Sequence, residues 1–445
     1  MALDLSPQLA AVREAEILRP HGKVLQVVGM VVEASGPAAP VGDICLVYPE
    51  HGGLDRHRAI PCEVVGFREG RILLMPYGNM RGIQPGSRVM ATRSQSLCQV
   101  GEELLGRVID GTGNPIDGKG PALCPRKYPL YGREINPIAR SRIREPLGTG
   151  IKAIDALLTL GKGQRMGIFA GSGVGKSVTL GIIARNTSAD VNVIALIGER
   201  GREVREFIEK DLGEEGLRRS VVVVSTSEKS PLVKARGALV ATTVAEYFRD
   251  RGLDVLLLMD SVTRFAMALR EVGLAIGEPP TTKGYTPSVF AALPRLMERA
   301  GMGEEDQGSI TGLYTVLVEG DDMNDPVADT VRSILDGHVV LSRDMAARNH
   351  YPPIDVLSSA SRLMMDIVPA PHRRAAARMK ALLAAYRQAE DLVNIGAYQR
   401  GSNPDVDEAL DKRAAMMDFL TQGVDESWTL ERAVERLLEM FPEVT

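Results

Sequence analysis

A glycine-rich stretch that ends in a lysine and a serine is the part of the sequence with the clearest chemistry. Residues 170–177 read Ala-Gly-Ser-Gly-Val-Gly-Lys-Ser, after an apolar run at 166–169 and before a helical pattern that starts at Val178. Glycines allow backbone N–H groups to approach phosphate oxygens, and the start of a helix adds partial positive charge. We expect Lys176 to contact the β- and γ-phosphates of a nucleoside triphosphate and the Ser177 hydroxyl to ligate Mg²⁺. The predicted nucleotide-binding residues are Gly171, Ser172, Gly173, Val174, Gly175, Lys176, Ser177 and Val178.

Two carboxylates follow apolar runs that have the length of buried strands. Asp260 ends the run at 253–260, and Glu199 follows the run at 194–197. Because ligands of parallel α/β sheets bind at the carboxyl ends of the strands, we expect both side chains near the phosphate-binding loop. We predict that Asp260 holds a water ligand of Mg²⁺ and that Glu199 is the general base for an attacking water.

Two arginines near these carboxylates are predicted to add positive charge beside the phosphates. Arg200 follows Glu199 directly, and Arg264 lies four residues after Asp260. Taken without the other motifs, the charged segment that starts at Glu199 is more typical of a solvated helix start with ion pairs four residues apart.

Three kinds of sequence pattern follow one another and predict a multi-domain α/β protein. Short β-branched runs with Gly and Pro turns predict a domain at residues 22–95 that is a small β-barrel or a sandwich. Apolar runs that alternate with amphipathic segments predict a phosphate-loop domain with a mainly parallel sheet covered by helices at 96–371. The composition after residue 371 predicts an α-helical domain at 372–445. Residues 1–21 form a weak amphipathic pattern, which fits a partner-binding arm and a helix packed on its own domain equally well.

The composition limits the classes of protein to which the chain can belong. A net charge of −4 gives no global basic field that would attract nucleic acid or an anionic membrane. No apolar run approaches the roughly 18 residues of a membrane span, and early charged residues exclude a signal peptide. The cysteines show no metal-ligand spacing, so we predict reduced, buried thiols and an intracellular protein. They are Cys45, Cys62, Cys98 and Cys124.

Longer segments of the sequence resemble the rotary-ATPase superfamily. They are GSGVGKS, IGERGREVREF, LLLMDSVTRFAMALREV, GYTPSVFAALPRLMERAG, LVEGDDMNDPVADTVRSILDGHVVLSR and HYPPIDVLSSASR. Within the superfamily, GYTPSVFAALPRLMERAG and GAYQRGSNPDVDEAL are similar to the protein-export ATPases of the bacterial flagellum and of type III secretion systems. The segment VVGMVVEASGP, followed by VGDIC, resembles the flagellar members more than the virulence members.

The resemblance implies an N-terminal β-barrel, a RecA-like fold for the phosphate-loop domain, and roles for individual residues. Six of them match family positions for phosphate, magnesium and water activation, namely Lys176, Ser177, Glu199, Arg200, Asp260 and Arg264. Arg362 matches the arginine finger that a neighbouring subunit inserts into the site, which implies a homohexameric ring. Spacing alone would favour a surface arginine in a serine-rich loop.

The resemblance also implies a site for the nucleotide base. Tyr351 matches the aromatic residue that stacks on adenine, although a core tyrosine beside a rigid turn would have the same pattern. Val424 stands where catalytic subunits of the superfamily have a second aromatic residue. We therefore expect weaker stacking and looser selectivity for adenine.

Membership of the export branch implies a motor that couples hydrolysis of Mg-ATP to the export of flagellar proteins. The implied partners are a stator-type regulator at the N-terminus, a central coiled-coil stalk, the export gate, and export chaperones with their substrates. The loop at 401–408 suits the stalk, but it equally fits a capped helix start. No nucleic acid is expected, and the protein should be cytoplasmic, bound only peripherally to the inner face of the plasma membrane.

Other functions share part of this pattern. The alternatives within the superfamily are a virulence type III secretion ATPase and an ATP synthase-type catalytic subunit. A hexameric helicase would share the phosphate loop, but it would be expected to carry basic and aromatic surfaces for single strands. A non-catalytic nucleotide-binding ring subunit would lack a general base at position 199, so the presence of Glu199 argues against this alternative.

Overall fold

The computed structural model describes residues 21–49, 58–92, 96–133, 135–171, 173–318, 320, 322 and 325–442. The chain divides into two compact units near residue 97, and residues 271–279 also belong to the first unit. The first contains a β-barrel, and the second contains a large sheet, its helices and the C-terminal helices. The amphipathic pattern at residues 1–21 lies outside the described residues except for its last residue, which begins the first strand.

The strands lie mainly in the first three quarters of the chain. In chain order they are β1 (His21–Val28), β2 (Val31–Ala34), β3 (Ile44–Tyr48), β4 (Ile60–Arg68), β5 (Arg71–Pro76), β6 (Arg88–Ala91), β7 (Leu97–Val100), β8 (Arg107–Asp110), β9 (Arg126–Pro129), β10 (Pro146–Leu147), β11 (Leu160–Gly161), β12 (Arg165–Ala170), β13 (Val191–Ile197), β14 (Ser220–Ser225), β15 (Asp254–Asp260), β16 (Gly301–Met302), β17 (Ser309–Leu317), β18 (Gly337–Leu341) and β19 (Ala360–Ser361).

Most of the helices lie between or after the strands of the large sheet. They are α1 (Lys152–Leu157), α2 (Lys176–Asn186), α3 (Gly201–Glu206), α4 (Gly213–Arg218), α5 (Pro231–Arg249), α6 (Val262–Ile276), α7 (Pro287–Met297), α8 (Pro326–Ile334), α9 (Arg343–Ala347), α10 (Met364–Ile367), α11 (Ala370–Asn394), α12 (Pro404–Leu420) and α13 (Leu430–Met440). A π-helical turn at Phe207–Leu212 joins α3 to α4.

The barrel closes in the order β1-β2-β5-β4-β3-β6. Every strand contributes at least one apolar side chain to a common interior, and closure removes the unpaired edges that an open sheet would expose. The innermost side chains include Val24, Val32, Cys45, Val64, Leu74 and Val89. The side chains of this core all belong to the first unit, so the barrel buries its own apolar interior.

The large sheet has the order β19-β18-β12-β17-β15-β13-β14-β8, and β16 pairs with β17. The pairs from β18 to β8 are parallel. All residues of β13 and β14 are buried, because helices cover both faces of a parallel sheet. The strands β12, β17, β15 and β13 are therefore neighbours, and their carboxyl ends share one edge of the sheet.

The C-terminal helices are fixed to the large sheet's unit by hydrogen bonds near α1. The side-chain oxygen of Gln422 accepts a 3.0 Å hydrogen bond from the backbone N–H of Lys152, and its amide nitrogen donates to the carbonyl of Gly150 at 2.8 Å. A buried ring nitrogen of His372 lies 2.7 Å from the carbonyl oxygen of Ala156. The residues after α12 are thereby held close to the segment that precedes the phosphate-binding loop.

The predicted fold class is confirmed, since the chain has a β-barrel, a mainly parallel sheet and a helical C-terminal region. The sequence patterns did not predict β8, the short edge strand of the large sheet, or α13. The boundaries at 95/96 and 371/372 stay predictions. Within the described residues, no helix has both the length and the apolar character needed to cross a bilayer.

Candidate active site

The phosphate-binding loop lies between β12 and α2, as its sequence context predicts. Gly173 and Gly175 have φ angles of +77° and +88°, in the left-handed region that side chains rarely adopt. Gly175 is the residue that precedes the first turn of α2. The loop therefore directs the start of a helix, with its free backbone N–H groups, toward the edge of the sheet. Ser172 lies outside the described residues.

The predicted charged residues meet at this edge because their strands are neighbours. Leu196 on β13 pairs with Asp260 on β15, so Glu199 follows closely beside Asp260. The ammonium group of Lys176 contacts the Asp260 carboxylate and lies 3.7 Å from Oε1 of Glu199. Thr315 on β17 donates a 2.8 Å hydrogen bond to Oδ1 of Asp260. Lys176 begins the helix that follows β12, so four neighbouring strands, β12, β17, β15 and β13, position this ion-paired cluster.

The environment of Glu199 suits a proton acceptor. Burial, followed by the negative charge of Asp260, raises the pKa of Glu199 to about 7, although Lys176 opposes the shift. A hydrogen bond between Glu199 and Glu203 lowers the pKa of Glu203 and further raises that of Glu199. A general base is most effective when its pKa lies near the working pH.

A cleft of about 960 Å³ opens over this cluster. Its charged lining has six cationic and three acidic side chains, so it carries a net positive charge that suits a polyphosphate. These side chains are Lys176, Arg200, Arg264, Arg270, Lys283, Arg343, Glu199, Glu203 and Asp325.

Most of the predicted site residues line this cleft. They are Gly171, Gly173, Gly175, Lys176, Ser177, Val178, Glu199, Arg200 and Arg264. Val174 is buried and is not among the residues that line the cleft. Asp260 is also buried and reaches the cleft through its contact with Lys176.

Arg362 is not brought into the cleft of its own chain. It follows β19, its side chain is exposed, and it is not among the lining residues. Its backbone N–H donates to the carbonyl of Asp336 at 2.9 Å, which fixes the loop beside β18. Within one chain the site therefore lacks this arginine.

Tyr351 lies beside the phosphate-binding loop but is not among the residues that line the cleft. A Cβ built on Gly175 would lie 3.6 Å from Cε1 of the Tyr351 ring. The backbone N–H of Gln422 donates to the carbonyl of Tyr351 at 2.9 Å, which places the segment that contains Val424 beside the tyrosine. Tyr351 and Val424 are both partly exposed.

The donor groups fit a hard divalent cation that a nucleotide brings with it. The Ser177 hydroxyl is exposed in the cleft, and the Asp260 carboxylate already lies against a positive charge. The described residues contain no group of three or more His, Cys, Asp or Glu side chains that could hold a metal alone. Mg²⁺ typically binds one or two protein oxygens together with substrate phosphates, so this donor set is sufficient.

Several lining residues were not predicted from the sequence. Arg270 lies on α6 two turns after Thr263 and Arg264, and this helical spacing could have indicated a shared face. Lys283 and Arg343 come from the loop before α7 and from the start of α9. For these two, only the tertiary structure shows that they reach the cleft.

Comparison with known proteins places the chain in a family. Residues 150–361 match the model of the ATP synthase alpha/beta family, nucleotide-binding domain, and residues 24–93 match its beta-barrel domain. Residues 368–439 match the T3SS EscN ATPase C-terminal domain. The "Flagellum-specific ATP synthase" of Bacillus subtilis is 54% identical over 94% of this chain and 95% of the relative. The chain belongs to the flagellar and type 3 secretion ATPase family.

Members of both branches of this family are similar to the chain. The "Type 3 secretion system ATPase" of Xanthomonas euvesicatoria is 52% identical over 96% of this chain and 94% of the relative. A structure of the assembled ATPase EscN in complex with its central stalk EscO, from enteropathogenic E. coli, has a TM-score of 0.86. It is 43% identical and covers 94% of this chain and 99% of the EscN chain. The resemblance found in the sequence and the predicted class of enzyme, an ATPase, are confirmed.

Proposed function

We propose that this chain hydrolyses Mg-ATP in a homohexameric ring and couples hydrolysis to the export of flagellar proteins. The observation that carries the proposal is the contact of Lys176 with Asp260, close to Glu199, in a cationic cleft at the edge of the sheet. The reaction is inferred from the family, whose nucleotide-binding domain this chain matches and whose members include a "Type 3 secretion system ATPase".

The residues of the cleft have complementary roles in the proposed reaction. Hydrolysis spreads negative charge over the γ-phosphate oxygens, and Lys176, Arg200 and Arg264 meet that charge. Glu199 orients the attacking water and accepts its proton. Ser177 and Asp260 would hold Mg²⁺, with Asp260 acting through a water, and the ion would neutralise charge on the β- and γ-phosphates.

The remaining charge is supplied by a second copy of the chain. Arg362 is exposed and lies outside its own cleft, so it is free to enter the cleft of a neighbour as an arginine finger. A head-to-tail contact of this kind forms a ring when the rotation that relates one copy to the next closes on itself, and a rotation of one sixth of a turn gives a hexamer. The EscN relative is described as assembled, which supports the same arrangement here.

Ring formation predicts how activity depends on protein concentration. Specific ATPase activity should rise steeply with the concentration of the chain, because assembly completes each site. The measurement is steady-state phosphate release over a dilution series, paired with light scattering to follow oligomerisation. Full specific activity in the monomeric range would contradict the ring.

The proposed contact for a central stalk is the tip formed by residues 392–408, which includes the end of α11, the connecting loop and the start of α12. Its carboxylates are already used within the chain, because Arg378 pairs with Asp405 and Glu408, and Asp407 accepts from Gly401. The capped helix start therefore explains the acidic residues, with Asn403 as the cap. The apolar side chains of Leu392 and Ile395 are exposed at the same tip, and they form an apolar surface for contact with a partner protein.

Substitution of Ile395 tests the stalk contact. Ile395→Asp should abolish stimulation of ATPase activity by the cognate stalk protein and leave the unstimulated rate unchanged. Ile138→Asp, at another exposed isoleucine, is the matched control. Normal stimulation of the Ile395 variant would exclude this surface.

The other partners and the location follow from the family and remain part of the proposal. They are a stator-type regulator at the N-terminus, the export gate, chaperones and export substrates, on the cytoplasmic side of the plasma membrane with only peripheral attachment. Export of virulence proteins is the alternative function, since relatives of both kinds are similar. Deletion of the gene decides between them: loss of flagellar filaments is expected, and intact filaments with lost secretion would favour the alternative.

A further inference from the structure

A buried hydroxyl lies next to the Asp260 carboxylate, on the neighbouring strand. Thr315 belongs to β17, which pairs with β12 on one side and with β15 on the other, and the residue is fully buried. Its Oγ1 lies 2.8 Å from Oδ1 of Asp260 and 3.3 Å from the carbonyl oxygen of Met259. A hydroxyl has one proton to donate, and a charged acceptor at the shorter distance is preferred. The Thr315 hydroxyl therefore donates to Asp260.

The Asp260 carboxylate has two donors among the described residues, and a nucleotide would affect them differently. The Lys176 ammonium group and the Thr315 hydroxyl both contact Oδ1. Lys176 is also the cation that the proposed function assigns to the β- and γ-phosphates, so it would turn from the carboxylate toward the nucleotide. Thr315 cannot move in this way, because its strand is paired on both sides. Its hydroxyl is the donor that stays on Asp260 when the phosphates are bound.

The two oxygens of the Asp260 carboxylate differ in their surroundings. Oδ1 accepts from Thr315, whereas Oδ2 receives no hydrogen bond from any residue that the structure describes. Asp260 is only 4% exposed, and a buried carboxylate is costly unless its oxygens have hydrogen-bond partners. The arrangement therefore holds one oxygen and leaves the other for a partner that comes with the nucleotide.

We infer that Thr315 is a positioning residue for Mg²⁺: its hydroxyl fixes Oδ1 of Asp260 and leaves Oδ2 to accept from a water of the ion. The inference rests on the proposed function, because it concerns the carboxylate that would hold Mg²⁺ through a water. Thr315 is fully buried and is not among the residues that line the cleft, so it acts on the ion through Asp260 alone.

The expected effect is on the metal and not on the nucleotide alone. Removal of a group that hydrogen-bonds a metal's ligand typically lowers metal affinity by about 10- to 100-fold. Because Asp260 would act through a water, we expect the lower end of this range. The affinity for ADP without Mg²⁺ should stay unchanged, since the phosphates are held by the loop and by Lys176.

Substitution of Thr315 tests the inference without turnover. Thr315→Val removes the hydroxyl and keeps the shape of the side chain. Calorimetry of ADP binding, with saturating Mg²⁺ and with a chelator, gives the ratio of the two ADP affinities. The ratio should fall by about 10-fold in Thr315→Val, and Thr315→Ser, which keeps the hydroxyl, should restore it. Thr315→Ala provides the same test if thermal unfolding shows that the valine variant does not fold.

Thr311→Val is the matched control on the same strand. Thr311 is buried, and its hydroxyl accepts a 2.9 Å hydrogen bond from the backbone N–H of Gly163. Four residues along a strand place it about 13 Å from Thr315. The control loses a buried hydrogen bond of the same strand but should keep the wild-type ratio.

The outcomes separate this inference from the proposed function. A wild-type ratio in Thr315→Val, an equal fall in Thr311→Val, or no recovery in Thr315→Ser would overturn the inference and leave the proposed ATPase intact. Equal affinities of the wild-type protein for ADP with and without Mg²⁺ would instead overturn the proposed Mg²⁺ site, and the role of Thr315 with it.

Discussion

The phosphate end of the site and the loop of Arg362 differ in how completely one chain assembles them. At the phosphate end, Lys176, Glu199 and Asp260 come from separate segments and already form a connected cluster. Arg362 is held in place by its backbone, but its guanidinium is exposed outside the cleft. We therefore propose that one chain binds the nucleotide, whereas fast hydrolysis requires two.

The largest effect is expected from removal of the lysine at the phosphate end. Lys176→Ala should lower ATP hydrolysis by about 10³-fold or more and should also weaken binding of MgADP, because the phosphates lose their central cation. Steady-state rates and calorimetry measure the two effects. Lys119→Ala, at an exposed lysine outside the cleft, is the control. Unchanged binding and turnover in the Lys176 variant would show that the loop at 170–177 does not bind the phosphates of the nucleotide.

Substitution of Arg362 should separate turnover from binding. Arg362→Ala is expected to lower kcat by about 10³-fold, as the loss of other arginine fingers does, while MgADP still binds with similar affinity. Arg251→Ala serves as a surface control, since Arg251 pairs with Glu102 outside the cleft. A variant of Arg362 with a normal kcat would show that the cleft is complete in one chain.

Removal of the proposed general base should lower kcat by a factor similar to, or smaller than, the factor for Arg362→Ala. Glu199→Gln should lower kcat by about 10²- to 10³-fold and should retain nucleotide, because the amide keeps the shape but accepts no proton. Glu206→Gln, in an exposed pair with Arg202, is the matched control. Nearly normal hydrolysis by the Glu199 variant would exclude it as the base.

The smallest effect is expected at one of the flanking arginines. Arg264→Ala should lower kcat/KM by about 10- to 100-fold, the value of one charge-assisted hydrogen bond. Arg264→Lys should recover part of the loss, because it keeps the charge but not the planar fork. Equal activity of the alanine and lysine variants would show that Arg264 does not contact the phosphates.

The parts of the site that could be predicted from the sequence are those with local or strand-end signals. The loop at 170–177 carries its own strand, turn and helix pattern. Glu199 and Asp260 could be assigned to one edge because each follows a buried apolar run. By contrast, Lys283 and Arg343 reach the cleft only through the tertiary arrangement, and their local sequence has no signal for it.

The same distinction applies to the fold. Long apolar runs predicted the central strands, because burial on both faces leaves a continuous signal. The edge strand β8 was missed, since its four residues include Arg107 and Asp110 and its pairing with β14 is long-range. The role of Arg362 could not be derived from one chain at all, because an interface between copies leaves no pattern in a single sequence. Only the resemblance to the family suggested it.

Mixed rings test the central claim most directly. Chains with Arg362→Ala supply an intact cleft without a finger, and chains with Glu199→Gln supply the finger without a base. If the finger acts in the neighbour's cleft, mixing the two inactive variants should restore part of the wild-type ATPase rate, with a maximum near equal amounts. Mixed rings verified by mass that remain as inactive as either variant alone would contradict a site shared between two chains.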